Sequence, residues 1–281
     1  MTNSLKRIRE IFEERWTKDG AGVRLNRIFG YPEIPNLDPF LLLDFFNSRD
    51  PKDYRKGFPW HPHRGIETVT YLMHGRIAHS DSLGNSGVIE SGDCQWMTAG
   101  SGIIHQEMPQ PSVHMLGFQL WINLPKANKM TPPTYRGLKR NQMPIVEKDF
   151  GQVRVLCGNY DGVDGIVYAS YVKPIVLDIR LESDADFELI AAEGDTLIAL
   201  LISGAGFFEE NGQIQNRVGE AILFERENEL LKIKAGPEGL RFILLSGKPL
   251  FEPIAWGGPV VMNTKEELDL AFEQIQNGTF V

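Results

Sequence analysis

The chain has 281 residues, a net charge of -8, 42% hydrophobic and 23% charged residues, enough for two globular cores and too apolar for disorder. The acidic balance excludes a broad basic surface for nucleic acid, and the apolar runs are far too short to span a bilayer. The polar stretch Met1–Glu10 shows no signal peptide, and Cys94 and Cys157 are the two cysteines; both facts predict free thiols in the cytoplasm.

Leu5, Ile8, Phe12 and Trp16 share one helical face behind a Ser4 N-cap, which predicts a helical extension over residues 1–20. Short strands and turns follow. Glu67-Thr-Val-Thr-Tyr-Leu-Met73 runs into a His74-Gly75 turn, and further strands are expected at Ile103–Met108, Met115–Leu124, Val153–Cys157, Ile166–Leu181 and Arg241–Leu245. Strands this short and this regular predict all-β barrels or sandwiches. The segment 67–75 also lines up with Thr196–Gly204. Glu90-Ser-Gly-Asp93 lines up with Arg217-Val-Gly-Glu220 at nearly the same distance, as a duplicated small barrel would require. The boundary between the copies is expected in Pro125–Pro144, giving one domain over 21–135 and a second over 145–281. At the end, Thr264 and Glu267 form a capping-box pattern ahead of Leu268, Ala271, Phe272 and Ile275, and Gly278 is placed to stop that helix.

All six histidines fall between His61 and His114. His61-Pro-His63 and His105-Gln-Glu107 each place two donor groups at i and i+2, on the same face of a strand. If those strands adjoin inside a barrel, three imidazoles and one carboxylate converge on a cation and leave coordination positions open. Glu67 is four residues from His63, a strand rise of about 13 Å. It therefore reads as a group that orients a ligand, behind Glu107 as the carboxylate donor. His74 and His114 read as surface or hydrogen-bonded histidines. Phe58, Trp60, Trp96, Met97 and Phe118 are candidates to line a pocket for a flat molecule.

His61-x-His63-x3-Glu67, then Gly92-x7-Gly100-x4-His105, resembles the paired motifs of the cupin superfamily. More narrowly, Asn36-Leu-Asp-Pro-Phe40, His61-Pro-His-Arg-Gly-Ile-Glu-Thr68, Gln95-Trp-Met-Thr-Ala-Gly100 and His105-Gln-Glu-Met-Pro109 resemble the pirin family. Gln119-Leu-Trp-Ile-Asn-Leu124 and Gly258-Pro-Val-Val-Met-Asn-Thr264 extend the likeness, which runs from about residue 20 to about 275.

The resemblance implies an all-β fold of two tandem cupin barrels, of the double-stranded β-helix or jelly-roll type, to which the periodicity above adds short terminal helices. It implies a mononuclear divalent metal, Fe(II), on His61, His63, His105 and Glu107 of the first barrel. Ni, Co, Cu, Mn and Zn suit the same donors. The activity it implies is flavonol (quercetin) 2,4-dioxygenation, opening the heterocycle with O2 and releasing CO, with Glu107 as base. The alternative is a metal- and redox-dependent interaction protein that co-regulates transcription or metabolic enzymes. The expected partners are therefore a flavonol-like molecule and O2, or another protein, without direct nucleic-acid or membrane contact. In the second barrel Ile190 and Ala192 stand where His61 and His63 would be, and Lys232 and Lys234 near His105 and Glu107. That copy is expected to hold no metal.

Overall fold

The computed structural model describes residues 4–32, 37–167, 171–208, 215–227 and 229–281. Asn36 of the Asn36–Phe40 motif, and residues 168–170 of the strand expected at Ile166–Leu181, lie outside them. The chain divides into two compact units, one of Arg15–Arg140 with Leu250–Val281 and one of Met1–Glu14 with Asn141–Pro249. Each unit thus recruits one end of the chain: the C-terminal segment returns to the first unit and the N-terminal segment joins the second.

In the first unit a sheet runs Thr134–Leu138, Cys94–Thr98, Ile66–His74, Met115–Asn123, Phe40–Ser48, Val23–Phe29 and Trp16–Asp19. A second sheet runs Phe58–His63, Ile103–Gln110, Arg76–Asp81 and Ser86–Glu90. Ile66–His74 is buried along its length save the last residue, so β-branched and aromatic side chains are accommodated on both faces. Within that unit Leu41, Ile66, Met97, Ala99, Ile103 and Val261 pack together at zero exposure.

In the second unit the sheet runs Ile8–Phe12, Ala221–Phe224, Thr196–Phe207, Leu230–Gly247, Ile175–Leu181, Gly151–Cys157 and Ile145–Lys148, with Asp186–Ile190 also pairing Leu230–Gly247. This is the same order of strands. The repeat extends to individual hydrogen bonds. Gly92 N–H donates to Leu72 O at 2.6 Å and Leu72 N–H to Asp93 O at 3.1 Å; Gly219 N–H donates to Leu201 O at 3.0 Å and Leu201 N–H to Glu220 O at 2.9 Å. Both glycines take the left-handed conformation that glycine favours, at φ +90° and +87°.

The expected N-terminal helix is a strand instead. Ile8–Phe12 pairs antiparallel with Ala221–Phe224, Ile8 opposite Phe224 and Phe12 opposite Ala221. It occupies the edge that Thr134–Leu138 occupies in the other unit. A helix of about 12 residues is marginal alone, whereas an open sheet edge offers a ladder of unpaired amides. The strand expected at Ile166–Leu181 spans only Ile175–Leu181. The second-unit register also changes two equivalences. Leu230, not Lys232, faces Ile190 as His105 faces His61. Lys232 instead pairs with Glu188 at 3.1 Å and Lys234 with Asp186 at 4.0 Å. The C-terminal helix forms as expected: Lys265–Asn277 has a capping box between Thr264 and Glu267 and ends at Gly278 with φ +69°. Among the described residues no helix is long and apolar enough to cross a membrane.

Candidate metal centre

Phe58–His63 and Ile103–Gln110 are antiparallel neighbours, with His61 opposite His105 and His63 opposite Ile103. The alternation of side chains along both strands sends all three rings to one place. Their ligand atoms lie within 4.8 Å of one another. A register shift follows between His105 and Glu107, so that Glu107 faces Phe58. The extra residue lies on the Phe58–His63 strand, and Ile103–Gln110 keeps its alternation against Arg76–Asp81, so Glu107 stays on the face of His105. The ligand atoms within 4.8 Å of one another are those of His61, His63 and His105. The buried carboxylate of Glu107 accepts from Gln119 Nε2 at 2.8 Å and Thr70 Oγ1 at 3.1 Å.

The imidazoles are oriented from behind. His61 Nδ1 lies 2.9 Å from Pro59 O, and His63 Nδ1 lies 3.2 Å from Pro259 O. A carbonyl only accepts, so each Nδ1 carries the proton and each Nε2 presents a lone pair. Those two Nε2 atoms face each other at 3.0 Å. Two lone pairs that close repel unless a cation lies against both. His105 is fully buried, and both of its ring nitrogens lack a hydrogen-bond partner. Burial, reinforced by the His61 ring, pulls His63 down to about 3. It also takes His105 well below the ordinary histidine range, with His63, His61 and His79 adding to the effect. Two imidazoles that turn Nε2 inward and an orphaned third imidazole are what a divalent metal requires. The residues fit that cofactor.

The C-terminal segment completes the surroundings. Gly65 sits at φ +78°, and a Cβ there would meet Val261 O at 1.9 Å. The buried Lys129 Nζ donates to Gly65 O and Val261 O, both at 2.8 Å, and to Asn123 Oδ1. One ammonium therefore ties the turn after His63 to the segment carrying Pro259. Arg64 adds bonds to Ser101 O, Gln274 Oε1 and Phe280 O. On the other side of His105, His79 lies between Asp81 at 3.2 Å and Gln95 at 3.0 Å and stacks on Tyr135.

A cavity of about 620 Å3 opens beside His61 and His63. Tyr31, Trp121 and Trp256 form an aromatic wall, with ring centroids 5.8 Å apart for Tyr31–Trp256 and 6.2 Å for Trp121–Trp256. The Arg27–Asp44 ion pair, at 2.8 Å, and Gln119 supply its polar side. Of the pocket candidates read from sequence, Phe58 and Trp60 line this cavity. Trp96, Met97 and Phe118 are buried core and do not line it. Their strands carry them away from the opening. Glu67 is fully buried and accepts from Thr98 Oγ1 at 2.8 Å, outside the group of three imidazoles. Tyr31, Trp121, Trp256, Lys129 and the Pro259 carbonyl escaped the sequence reading. Trp121 and Pro259 lie in quoted motifs, but nothing in spacing assigns a role to a carbonyl or to a distant lysine.

Residues 22–122 match the Pirin family and residues 176–281 match the Pirin C-terminal cupin domain. The chain belongs to the pirin family. A pirin-like protein of Caulobacter vibrioides is 40% identical over 269 residues, covering 94% of this chain and 95% of the relative. Human pirin is 39% identical over 266 residues, covering 94% and 90% of the two chains. A crystal structure of quercetin 2,3-dioxygenase from Acinetobacter baumannii superposes with a TM-score of 0.88 at 32% identity, covering 99% of each chain. The two units are accordingly pirin cupin domains, the first carrying the three-histidine site.

Proposed function

We propose that the chain is a metal-dependent flavonol dioxygenase of the cytoplasm, opening the flavonol heterocycle with O2 and releasing CO. The observation that carries this reading is the facing pair of His61 and His63 Nε2 atoms, 3.0 Å apart, at the mouth of an aromatic-walled cavity of about 620 Å3. Cavities of that size suit molecules of a few rings. The Acinetobacter structure, named a quercetin 2,3-dioxygenase, supports the substrate class. The two buried cysteines, neither of them in a disulfide, support a reducing compartment.

In this reading His61, His63, His105 and Glu107 hold one divalent ion, Fe(II), with Ni, Co, Cu, Mn and Zn as competitors for the same donors. When bound, that ion supplies Lewis acidity toward an ionised flavonol oxygen and the capacity for O2 chemistry. The protein does the rest. Trp121, Trp256 and Tyr31 present ring faces and edges to a planar substrate and keep water from it. Glu107 receives the proton of the flavonol 3-hydroxyl, its carboxylate set by Thr70 and Gln119. Gln119 also accepts from Trp121 Nε1 at 3.4 Å, which couples the aromatic wall to that base. The roles of ligand and base are compatible if the carboxylate moves between its Gln119–Thr70 seat and the ion.

The test is aerobic incubation of Fe(II)-loaded protein with quercetin, following flavonol absorbance and CO. The expected result is turnover that His61→Ala abolishes and Glu107→Gln reduces by about a hundredfold or more. Equal rates for wild type and His61→Ala would sink the enzymatic reading.

A further inference from the structure

Because the two units order their strands alike, their interiors can be matched residue by residue. In the first, Leu42 faces Trp121 and Asp44 faces Gln119; in the second, Ile175 faces Ser246 and Leu177 faces Leu244. The next strand fixes the correspondence. Trp121 and Gln119 face Thr68 and Thr70, while Ser246 and Leu244 face Leu197 and Ala199, which are the repeat counterparts of those threonines. The same repeat sets Leu189 and Ile190 in the places of Trp60 and His61.

Ile175, Leu177, Leu189, Ile190, Leu244 and Ser246 line a second cavity, of about 560 Å3, at the position where their counterparts line the metal-side cavity. Protein interiors close-pack, so a barrel freed of its metal ligands is expected to fill that space. This one did not. Three matched positions lost polarity instead, with Leu177 for Asp44, Leu244 for Gln119 and Ile190 for His61, while Lys148, Asn159, Asp161 and Glu188 line the rest of the wall. It gained room where Ser246 replaces Trp121. Ile190 remains 64% exposed at the rim, an isoleucine facing solvent beside an apolar hollow. The charges nearby pair with each other, Lys148 with Asp161 and Lys232 with Glu188, and Ser246 Oγ donates to Asp195 at 2.9 Å. A charged ligand would find no partner released for it. Tyr160, at the same wall, offers a phenol.

We propose that the metal-free barrel is a second ligand site, binding an uncharged, largely apolar molecule of a few rings between Leu177, Leu189, Ile190 and Leu244. It is independent of the chemistry at the histidines.

The probe is Nile red, an uncharged aromatic dye, titrated into the metal-loaded full chain and followed by fluorescence. Ile190→Glu changes only an exposed rim residue, and Ser246→Trp inserts the bulk that the counterpart position already carries. Both are expected to weaken binding about tenfold or more, with unchanged metal content and circular dichroism. Trp121→Glu, which alters the other cavity, serves to identify any dye bound there. Dye affinity indifferent to Ile190→Glu, or no dye binding at all, overturns the proposal. If Ser246→Trp fails to fold, Ile190→Glu decides it alone.

Discussion

The two barrels share strand order, a duplicated turn and left-handed glycines, yet one gathers three histidines and the other none. Gly65 and its repeat counterpart Gly194 show how they diverged. Their φ angles are nearly equal, +78° and +85°, but a Cβ on Gly65 meets Val261 O at 1.9 Å whereas one on Gly194 meets nothing within 4 Å. The backbone conformation belongs to the duplicated fold. The crowding belongs to the C-terminal segment, which packs onto the histidine loop of the first unit and supplies the Pro259 carbonyl that fixes the His63 tautomer. What separates the barrels is therefore this added layer as well as the ligands themselves.

The largest test of that contrast is Gly65→Ala against Gly194→Ala. Gly65→Ala combines a strained φ with a backbone clash and is expected to cost about 4 kcal/mol or more in denaturant unfolding. Next, His105→Ala removes the imidazole with two orphaned nitrogens. Metal affinity is expected to fall by more than about a hundredfold in a competition titration, beyond the 10- to 100-fold typical of losing a supporting residue. The same readout for Leu230→Ala, its counterpart in the second barrel, should not change.

Lys129→Met leaves Gly65 O, Val261 O and Asn123 Oδ1 without their shared donor, while relieving the burial of a charge. A net loss of about 2 kcal/mol is expected from chemical denaturation. Burial pulls Lys129 from 10.5 down to about 7 in the folded protein, against the opposing pull of Glu252 and Glu267. Between those values the unfolded chain holds the proton that the folded chain has released. Stability should thus rise with pH from about 7 to about 10.5, by up to about 1.4 kcal/mol per unit. Comparing wild type with Lys129→Met across that window isolates this contribution, and identical slopes would refute it. The smallest effect is Gly194→Ala, where only the left-handed backbone is penalised, by about 1 to 2 kcal/mol.

Much of the metal centre was legible in the chain because strand geometry is local. His61, His63 and His105 needed only the period of two and adjacent strands. Glu107 follows the same period and keeps the face of His105, while the Thr70 and Gln119 bonds that seat its carboxylate come from distant strands and leave no mark in its own segment. The N-terminal segment misled for a similar reason. Its apolar spacing fits a helix, but the open edge at Ala221–Phe224 made it a strand, and that edge exists only in the folded sheet.

By itself the sequence determined a duplicated β fold, a capped terminal helix and a histidine-rich first half, since these follow from alternation, capping residues and composition within short windows. Tertiary structure alone decided that the N-terminal segment joins the second unit's sheet as a strand. It alone set Lys129 and Pro259 behind the metal loop, and kept a cavity in the barrel without histidines. Those outcomes rest on contacts across more than a hundred residues, such as the bond from Lys129 to Val261, 132 positions apart, whose formation depends on packing and not on any local pattern.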